Sequence, residues 1–442
     1  MSCRGPCSAS GAAARAGALL LLLGALLPLC HAKVTYTSLF RDDRSLIPVA
    51  PSFAFGDRGK IDVKLRDISI WQRHEDDSDV DYSNFGFMLI PVVQPDDSLE
   101  RSLAAGECPL GREGTLFTLD KPPALNVIKG GAENGTFHID VDSGGWFFLY
   151  FANCGGAAVS LRARIALYNM RDDGGRDYMS IGETELDAVY WIMFALFAGL
   201  TAAWCAVLAA KRPFVHKIHL LMGGLLMFKT LTLLAQALMV LHIERNGEAQ
   251  GWNVVYYVFT TARGLLFFTV AVLIGAGWSY MKPFMDDNTR TALMVVVPLQ
   301  VFANIALVFV DEESPAMRDW LTWTDLFHFV DVACCCAILF PIVTQIKHLR
   351  EAAEVDGKAA RMLTKLRLFR TFYVVVVGYI YFTRIIVFLL KNTVDYSYMW
   401  LTDAAAEVAA LAFYTWVGVS FRPTDHNVYL KLDAEDMEMA AK

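Results

Sequence analysis

Seven long apolar runs fill the chain between Leu186 and Phe421, and several carry charged residues well inside the run. About 20 apolar residues suffice to cross the hydrocarbon core as a helix, which satisfies its own backbone hydrogen bonds there. A charge at that depth costs roughly 2.5 to 3.5 kcal/mol on insertion scales. Such residues are kept for a reason. The runs read as transmembrane helices at Leu186–Ala210, Phe214–Ile243, Trp252–Tyr280, Thr291–Val310, Leu321–Gln345, Leu368–Leu390 and Met399–Phe421. With 55% hydrophobic and only 19% charged residues, the composition is that of a membrane protein.

The first residues, 1–32, read as a signal peptide. Arg4 and Arg15 precede the apolar stretch Ala16 to Leu29, which is short for a span, and Cys30-His31-Ala32 supplies the small residues of a cleavage site. Cleavage is predicted after Ala32. Residues 33–185 then form a segment delivered to the lumen or cell exterior, with 16 Lys and Arg against 24 Asp and Glu. That acidic balance offers no footprint for nucleic acid. Of its cysteines only Cys108 and Cys154 remain outside the signal and the apolar runs. In an oxidising compartment they are expected to form one disulfide, the alternative being two free thiols. Asn134-Gly135-Thr136 is a glycosylation sequon on the same side.

Between Lys60 and Met170 the hydrophobic period is two. Ile61, Val63 and Leu65 alternate with Asp62, Lys64 and Arg66, and Phe137, Ile139 and Val141 with His138, Asp140 and Asp142. Strands are also predicted at Phe85 to Val93, Trp146 to Phe151 and Val159 to Tyr168, with turns rich in Gly and Asp between them. The pattern predicts a β-sandwich. Asp77, Asp79 and Asp81 have the spacing that opens a calcium loop, but Tyr82 stands where such a loop needs Gly, so a solvated acidic loop is expected. No nucleophile is paired with a base at a recognisable spacing, so the chain is expected not to be an enzyme.

With the N-terminus luminal, the cytosolic loops hold eleven Lys and Arg, from Lys211 to Arg367, and the luminal loops hold Arg245, Arg318 and Lys391. This obeys the positive-inside rule and puts the tail, 422–442, in the cytosol. At 1.5 Å per residue, Arg263 lies about 16 Å below the luminal end of its helix, Asp331 about 15 Å, Glu407 about 12 Å and Arg384 about 9 Å. Lys229 is near the middle of the second span, while Asp325, His328 and Asp403 lie closer to the lumen. These residues are expected to meet in one polar cluster facing the bundle interior, either as structural ion pairs or as a ligand or ion cavity. Lys229, Arg263, Asp331 and Glu407 in particular are predicted to share one network.

Several seven-helix classes are excluded on residues. The last run has neither the lysine of a retinal Schiff base nor a histidine for zinc, and the spans show no metal, redox or other cofactor site. The third run ends Trp278-Ser279-Tyr280 rather than Asp-Arg-Tyr, and the seventh lacks Asn-Pro-x-x-Tyr, so the rhodopsin-like switch is missing. A different likeness is specific. Phe214-Val215-His216-Lys217-Ile218-His219, Gly251-Trp252-Asn253-Val254-Val255-Tyr256-Tyr257, Val297-Pro298-Leu299-Gln300, Ile346-Lys347-His348-Leu349-Arg350-Glu351, Tyr379-Ile380-Tyr381-Phe382-Thr383-Arg384 and Phe421-Arg422-Pro423 resemble the lung seven-transmembrane receptor family. Tyr150-Phe151-Ala152-Asn153-Cys154 is the best fragment before the membrane region.

The resemblance implies a luminal, Golgi-dynamics (GOLD-like) all-β sandwich ahead of an α-helical seven-transmembrane bundle, residence in the Golgi and endomembranes, and a role in membrane trafficking. It also implies kinship with proteins called orphan or candidate G-protein-coupled receptors. On the cytosolic side, the basic loop Ile346 to Arg367 is attracted to anionic membrane lipids. Tyr429-Leu430-Lys431-Leu432 has the form of a sorting signal, with Tyr429 and Leu432 as its anchors. The expected partners are thus a luminal protein cargo or ligand, membrane lipids, and a cytosolic sorting adaptor or G protein. Three functions follow: a trafficking protein, a ligand-sensing receptor, or a channel or transporter using the charged layer.

Overall fold

The computed structural model of the chain describes residues 34–71, 80–92, 108–111, 114–130, 133–141, 143–275, 371–372, 374–376 and 378–423. The predicted signal peptide, the fourth and fifth predicted spans, the basic loop and the tail from residue 424 on lie outside these residues.

An all-β domain comes first. Its strands are β1 (Val34–Asp42), β2 (Leu46–Pro48), β3 (Phe53–Phe55), β4 (Gly59–Trp71), β5 (Phe85–Pro91), β6 (Thr115–Thr118), β7 (Gly135–Val141), β8 (Gly145–Asn153), β9 (Ala158–Met170) and β10 (Arg176–Asp177). A short helix, α1 (Ala124–Ile128), precedes β7. One antiparallel sheet runs β1-β9-β4-β7 with β10 on β9, and the other runs β2-β8-β5-β6 with β3 on β8. The alternation read in the sequence sets their faces: Ile61, Val63 and Leu65 are buried and meet Phe53, Phe55, Phe85, Phe87 and Phe151 from the facing sheet. Aromatic pairs stitch the layer, with Phe87 and Phe117 stacked at 4.9 Å and Phe87 and Phe151 edge-on at 5.2 Å. Cys108 and Cys154 are joined as a disulfide, their Cα atoms 5.1 Å apart, as the sequence led one to expect.

Strands the pattern did not announce have identifiable causes. In β1 the inward position two before Leu39 is taken by Thr37, whose hydroxyl donates to the Val49 carbonyl at 2.5 Å and so tolerates burial. A polar residue facing inward hides the period of two. Elsewhere Asp81, at the end of the acidic run, caps the 3₁₀ turn Tyr82–Asn84 by accepting from the Ser83 amide at 3.0 Å. The Ser83 hydroxyl and amide together hold its carboxyl below the usual range.

The helices follow. Leu186–Ala210 is α2, Lys217–Asn246 is α3 and Trp252–Gly275 is α4; a π-helical turn Phe382–Ile386 leads into α5 (Val387–Thr393), and α6 is Trp400–Ser420. The first of these agrees with the predicted span to the residue. The second starts three residues later than predicted, because Arg212–Phe214 forms a separate 3₁₀ turn and the His216 amide is capped by His219 Nδ1 at 2.9 Å. It runs on to Asn246, where Gly247 adopts the left-handed conformation at φ 76° and ends it.

Candidate functional site

The site is built where α2, α3, α4 and α6 face one another. Lys229 is on the interior face of α3 and is 1% exposed. Its Nζ donates to Glu407 Oε2 of α6 at 2.5 Å, and the Glu407 side chain is 14% exposed. Phe197 of α2, itself buried, presents its ring 5.3 Å from the same ammonium and meets Tyr414 of α6 edge-on at 5.7 Å. Arg263 of α4 lies within electrostatic range of Glu407 and of the phenols of Tyr256, Tyr379 and Tyr414. One carboxylate thus answers two cations from separate helices, Lys229 through a direct bond and Arg263 through its field.

This geometry acts first as a lock. Two opposite charges at this depth are tolerated because they neutralise each other, and removing one partner leaves the other buried and uncompensated. A hydroxyl pair, Thr201 of α2 and Thr230 of α3 at 2.8 Å, fastens α3 to α2 beside it. Asp403 stands in the first turn of α6, four residues from Glu407 on the same helix face, and with Glu407 adds to the negative field at the buried phenol of Tyr190 in α2. The structure therefore brings Lys229, Arg263, Asp403 and Glu407 into one neighbourhood. Arg384 is carried by the π-helical turn, its side chain outside the described set. Asp325, His328, Asp331, Tyr429 and Leu432 lie outside the described residues. In the half of the bundle away from the β domain the layer gives way to an apolar cavity lined by Trp204, Leu226, Phe267, Phe372 and Phe413 among others. Among the described residues no three His, Cys, Asp or Glu side chains gather as a metal site would need. Asn134, the sequon residue, has its Oδ1 accepting from Arg66 at 2.5 Å.

Sequence reasoning missed a second part of the site, where the β domain is fastened to α3. The loop after α3 receives the domain's first strand: the Val34 amide donates to the Gly247 carbonyl at 3.1 Å, and the Tyr178 amide to the Glu244 carbonyl at 3.2 Å. The Glu244 carboxylate is bonded by Arg171, and Glu248 accepts from the Tyr36 hydroxyl at 3.1 Å and lies 3.6 Å from Arg164. Gly247 must be glycine here, since a Cβ would meet Val34 at 2.6 Å and Tyr178 at 2.8 Å. On the far side of the linker, Gly182 packs so closely on the Tyr396 carbonyl, ahead of α6, that a Cβ would overlap it. The available signal was Glu244 and Glu248 flanking the helix-ending Gly247, two acids facing a domain whose linker carries Arg171.

Comparison with known proteins bears on the whole arrangement. Residues 185–428 match the model of the GOST seven transmembrane domain, and residues 37–169 match that of the CAND6/7 N-terminal domain. A protein of Arabidopsis thaliana described as Candidate G-protein coupled receptor 6 is 34% identical over 426 residues, 95% of this chain and 96% of the relative. Among solved structures, a thermophilic rhodopsin from Rubrobacter xylanophilus aligns with 55% of this chain and 98% of its own at 14% identity, with a TM-score of 0.38. The resemblance to the lung seven-transmembrane receptors is thereby borne out at the level of family and fold: this chain is an integral, receptor-like member of the GOST seven-transmembrane family with a CAND6/7-type all-β domain at its N-terminal end.

Proposed function

We propose that the protein resides in Golgi-type endomembranes, with its β domain luminal and its tail cytosolic, and acts without catalysis in membrane trafficking. The β domain takes a luminal protein cargo or ligand, and the bundle holds that domain at the membrane and carries the signals read by a cytosolic adaptor. The observation that carries this reading is the packing around Lys229: among the described residues it is paired with Glu407 and capped by the Phe197 ring, which favours a structural lock over a hydrated ion path. The surplus of basic residues in the loops assigned to the cytosol supports the orientation.

The test is proximity labelling from the β domain in cells, with Cys108 and Cys154 intact and with both replaced by Ser. Endomembrane cargo proteins labelled by the intact protein and lost with the disulfide support the reading. Labelling that is identical in the two, or an ion conductance in reconstituted vesicles, sinks it.

A ligand-sensing receptor is the second reading, and one observation favours it. The helix that carries Lys229 is the one whose end grips the β domain, so a ligand that shifts the domain pulls directly on α3. The relative's description as a candidate receptor points the same way.

A further inference from the structure

The outer face of the β1-β9-β4-β7 sheet breaks a rule of sheet construction. In the antiparallel register of β4 with β9, Lys64 stands directly opposite Arg164 and Arg66 directly opposite Arg162. Side chains so paired have Cβ atoms about 5 Å apart, and like charges in that position destabilise a sheet. Two such pairs follow each other at positions i and i+2, so all four cations share one face. They stand on a segment that carries an excess of acids. Compensation is partial. Asp67 reaches Arg162 at 3.3 Å and Glu248 reaches Arg164 at 3.6 Å, while Arg66 bonds the neutral Asn134 and Lys64 has no ion-pair partner among the described residues.

The backbone beside the block is strained as well. Both neighbours of β9 bulge against it, β1 between Leu39 and Asp42 and β4 between Arg66 and Ser69. At these bulges Arg41 and Asp67, neither of them glycine, take the left-handed conformation at φ 48° and 47°. Such backbone is sparsely populated by residues other than glycine, and bulges commonly re-aim side chains. The bulges are anchored, the Arg41 amide by Ser160 Oγ at 2.8 Å and Asp67 by Arg162, but the repulsion between the paired cations is only partly offset.

We propose that this block is a binding surface for an extended acidic peptide segment of a partner protein. An extended chain repeats its same-side residues every 6.6 to 6.8 Å or so, which is also the spacing of Arg162 and Arg164 along β9. Carboxylates at alternate positions therefore register with both rows of cations, and the guanidinium forks take them in two-point bonds. The side chains are available: those of Arg162 and Arg164 are 71% and 45% exposed. On the adjoining strand β1 the exposed rings of Tyr36 and Phe40 offer apolar contact to the residues between the acids. The assignment rests on the reading that the β domain binds a protein, and names the chemistry of that partner.

The experiment uses the full chain in nanodiscs of phosphatidylcholine, with a fluorescein-labelled Thr-Glu-Thr-Glu-Thr-Glu peptide as probe and the Thr-Gln counterpart as control. Fluorescence polarisation is expected to show binding of the acidic probe alone, weakening as salt rises. Lys64→Glu with Arg66→Glu turns both repulsive pairs into attractive ones. The pair of changes is expected to weaken the acidic probe by about tenfold or more while the Tm stays level or rises. If the Tm falls, Lys64→Thr with Arg66→Thr removes the charges on residues suited to a strand, and must weaken the probe with the Tm retained. Equal binding of the two peptides, or unchanged binding by a variant, overturns the assignment. So does binding of phosphatidylserine vesicles through the block with no peptide binding, which makes the ligand a lipid surface. Full cargo labelling in cells by a charge variant also overturns it, yet leaves the trafficking reading standing.

Discussion

Lys229 and Glu407 were legible as buried charges of one network because the sequence places each inside an apolar run at a similar depth, but which carboxylate the ammonium bonds directly was not. Depth can be counted along a helix, whereas the rotation of one helix about its neighbour depends on packing across the bundle. The Phe197 ring over the ammonium was invisible for the same reason: a phenylalanine in an apolar helix carries no mark of what it touches. Removing one charge alone, as in Lys229→Ala, is expected to cost about 3 to 5 kcal/mol, read as a fall in the Tm of the detergent-solubilised protein. Lys229→Met combined with Glu407→Leu should recover most of that loss, since no charge is then left unpaired. A second residue-scale effect is a pH response. The Tyr168 phenol is pushed up to about 12, first by burial and next by the Asp62 carboxylate, to which it donates at 3.2 Å. An unfolded tyrosine ionises near 10. The raised folded value favours the neutral phenol, so its contribution is complete below about pH 10 and is lost as pH climbs through about 12. A Tm profile across that range should fall less steeply in Tyr168→Phe than in the wild type.

At the scale of elements, periodicity served the long strands and the helices and failed at their junctions. The alternation in β4, β7 and β9 follows from burial of one face, and the run of α2 from an apolar surface on every side, both of which a linear pattern records. The grip of the β domain on the loop after α3 combines backbone bonds with residues scattered from Val34 to Glu248, and no local pattern encodes it. That junction is testable at its tightest point. Gly247→Ala combines a left-handed backbone with a clash against Val34 and Tyr178, and is expected to destabilise by more than about 1 kcal/mol. Its signature should be regional: faster amide hydrogen exchange in β1 and at the end of α3, with the core of β4 and β9 unchanged.

Across the whole molecule, the disulfide and the orientation are linked through compartment. Cys108 and Cys154 enclose a sequence separation of 46, and in the chain-entropy model such a closure is worth about 4 kcal/mol. Cys108→Ser with Cys154→Ser is therefore expected to lower the Tm of the β domain markedly, a change the reducing agent dithiothreitol should reproduce on the wild type. If the domain is luminal, as proposed, Asn134 is open to glycosylation, and treatment with peptide N-glycosidase should shift the wild type on a gel but not Asn134→Gln.

The bond from the Val34 amide to the Gly247 carbonyl has a practical consequence for anyone who builds reporters on this protein. The chain enters the β domain at its foot, beside the bundle. A fluorescent protein or epitope fused just ahead of Val34 would be wedged at the bilayer surface, shaded from antibodies and pressing on the joint. The turn Arg171–Gly175, closed by a bond from the Arg171 amide to the Gly175 carbonyl, shares that crowded foot through Arg171. Phe40, at the far end of β1 and 81% exposed, lies clear of that foot but on the face proposed for the acidic segment, so a label there would report on the peptide rather than on the joint.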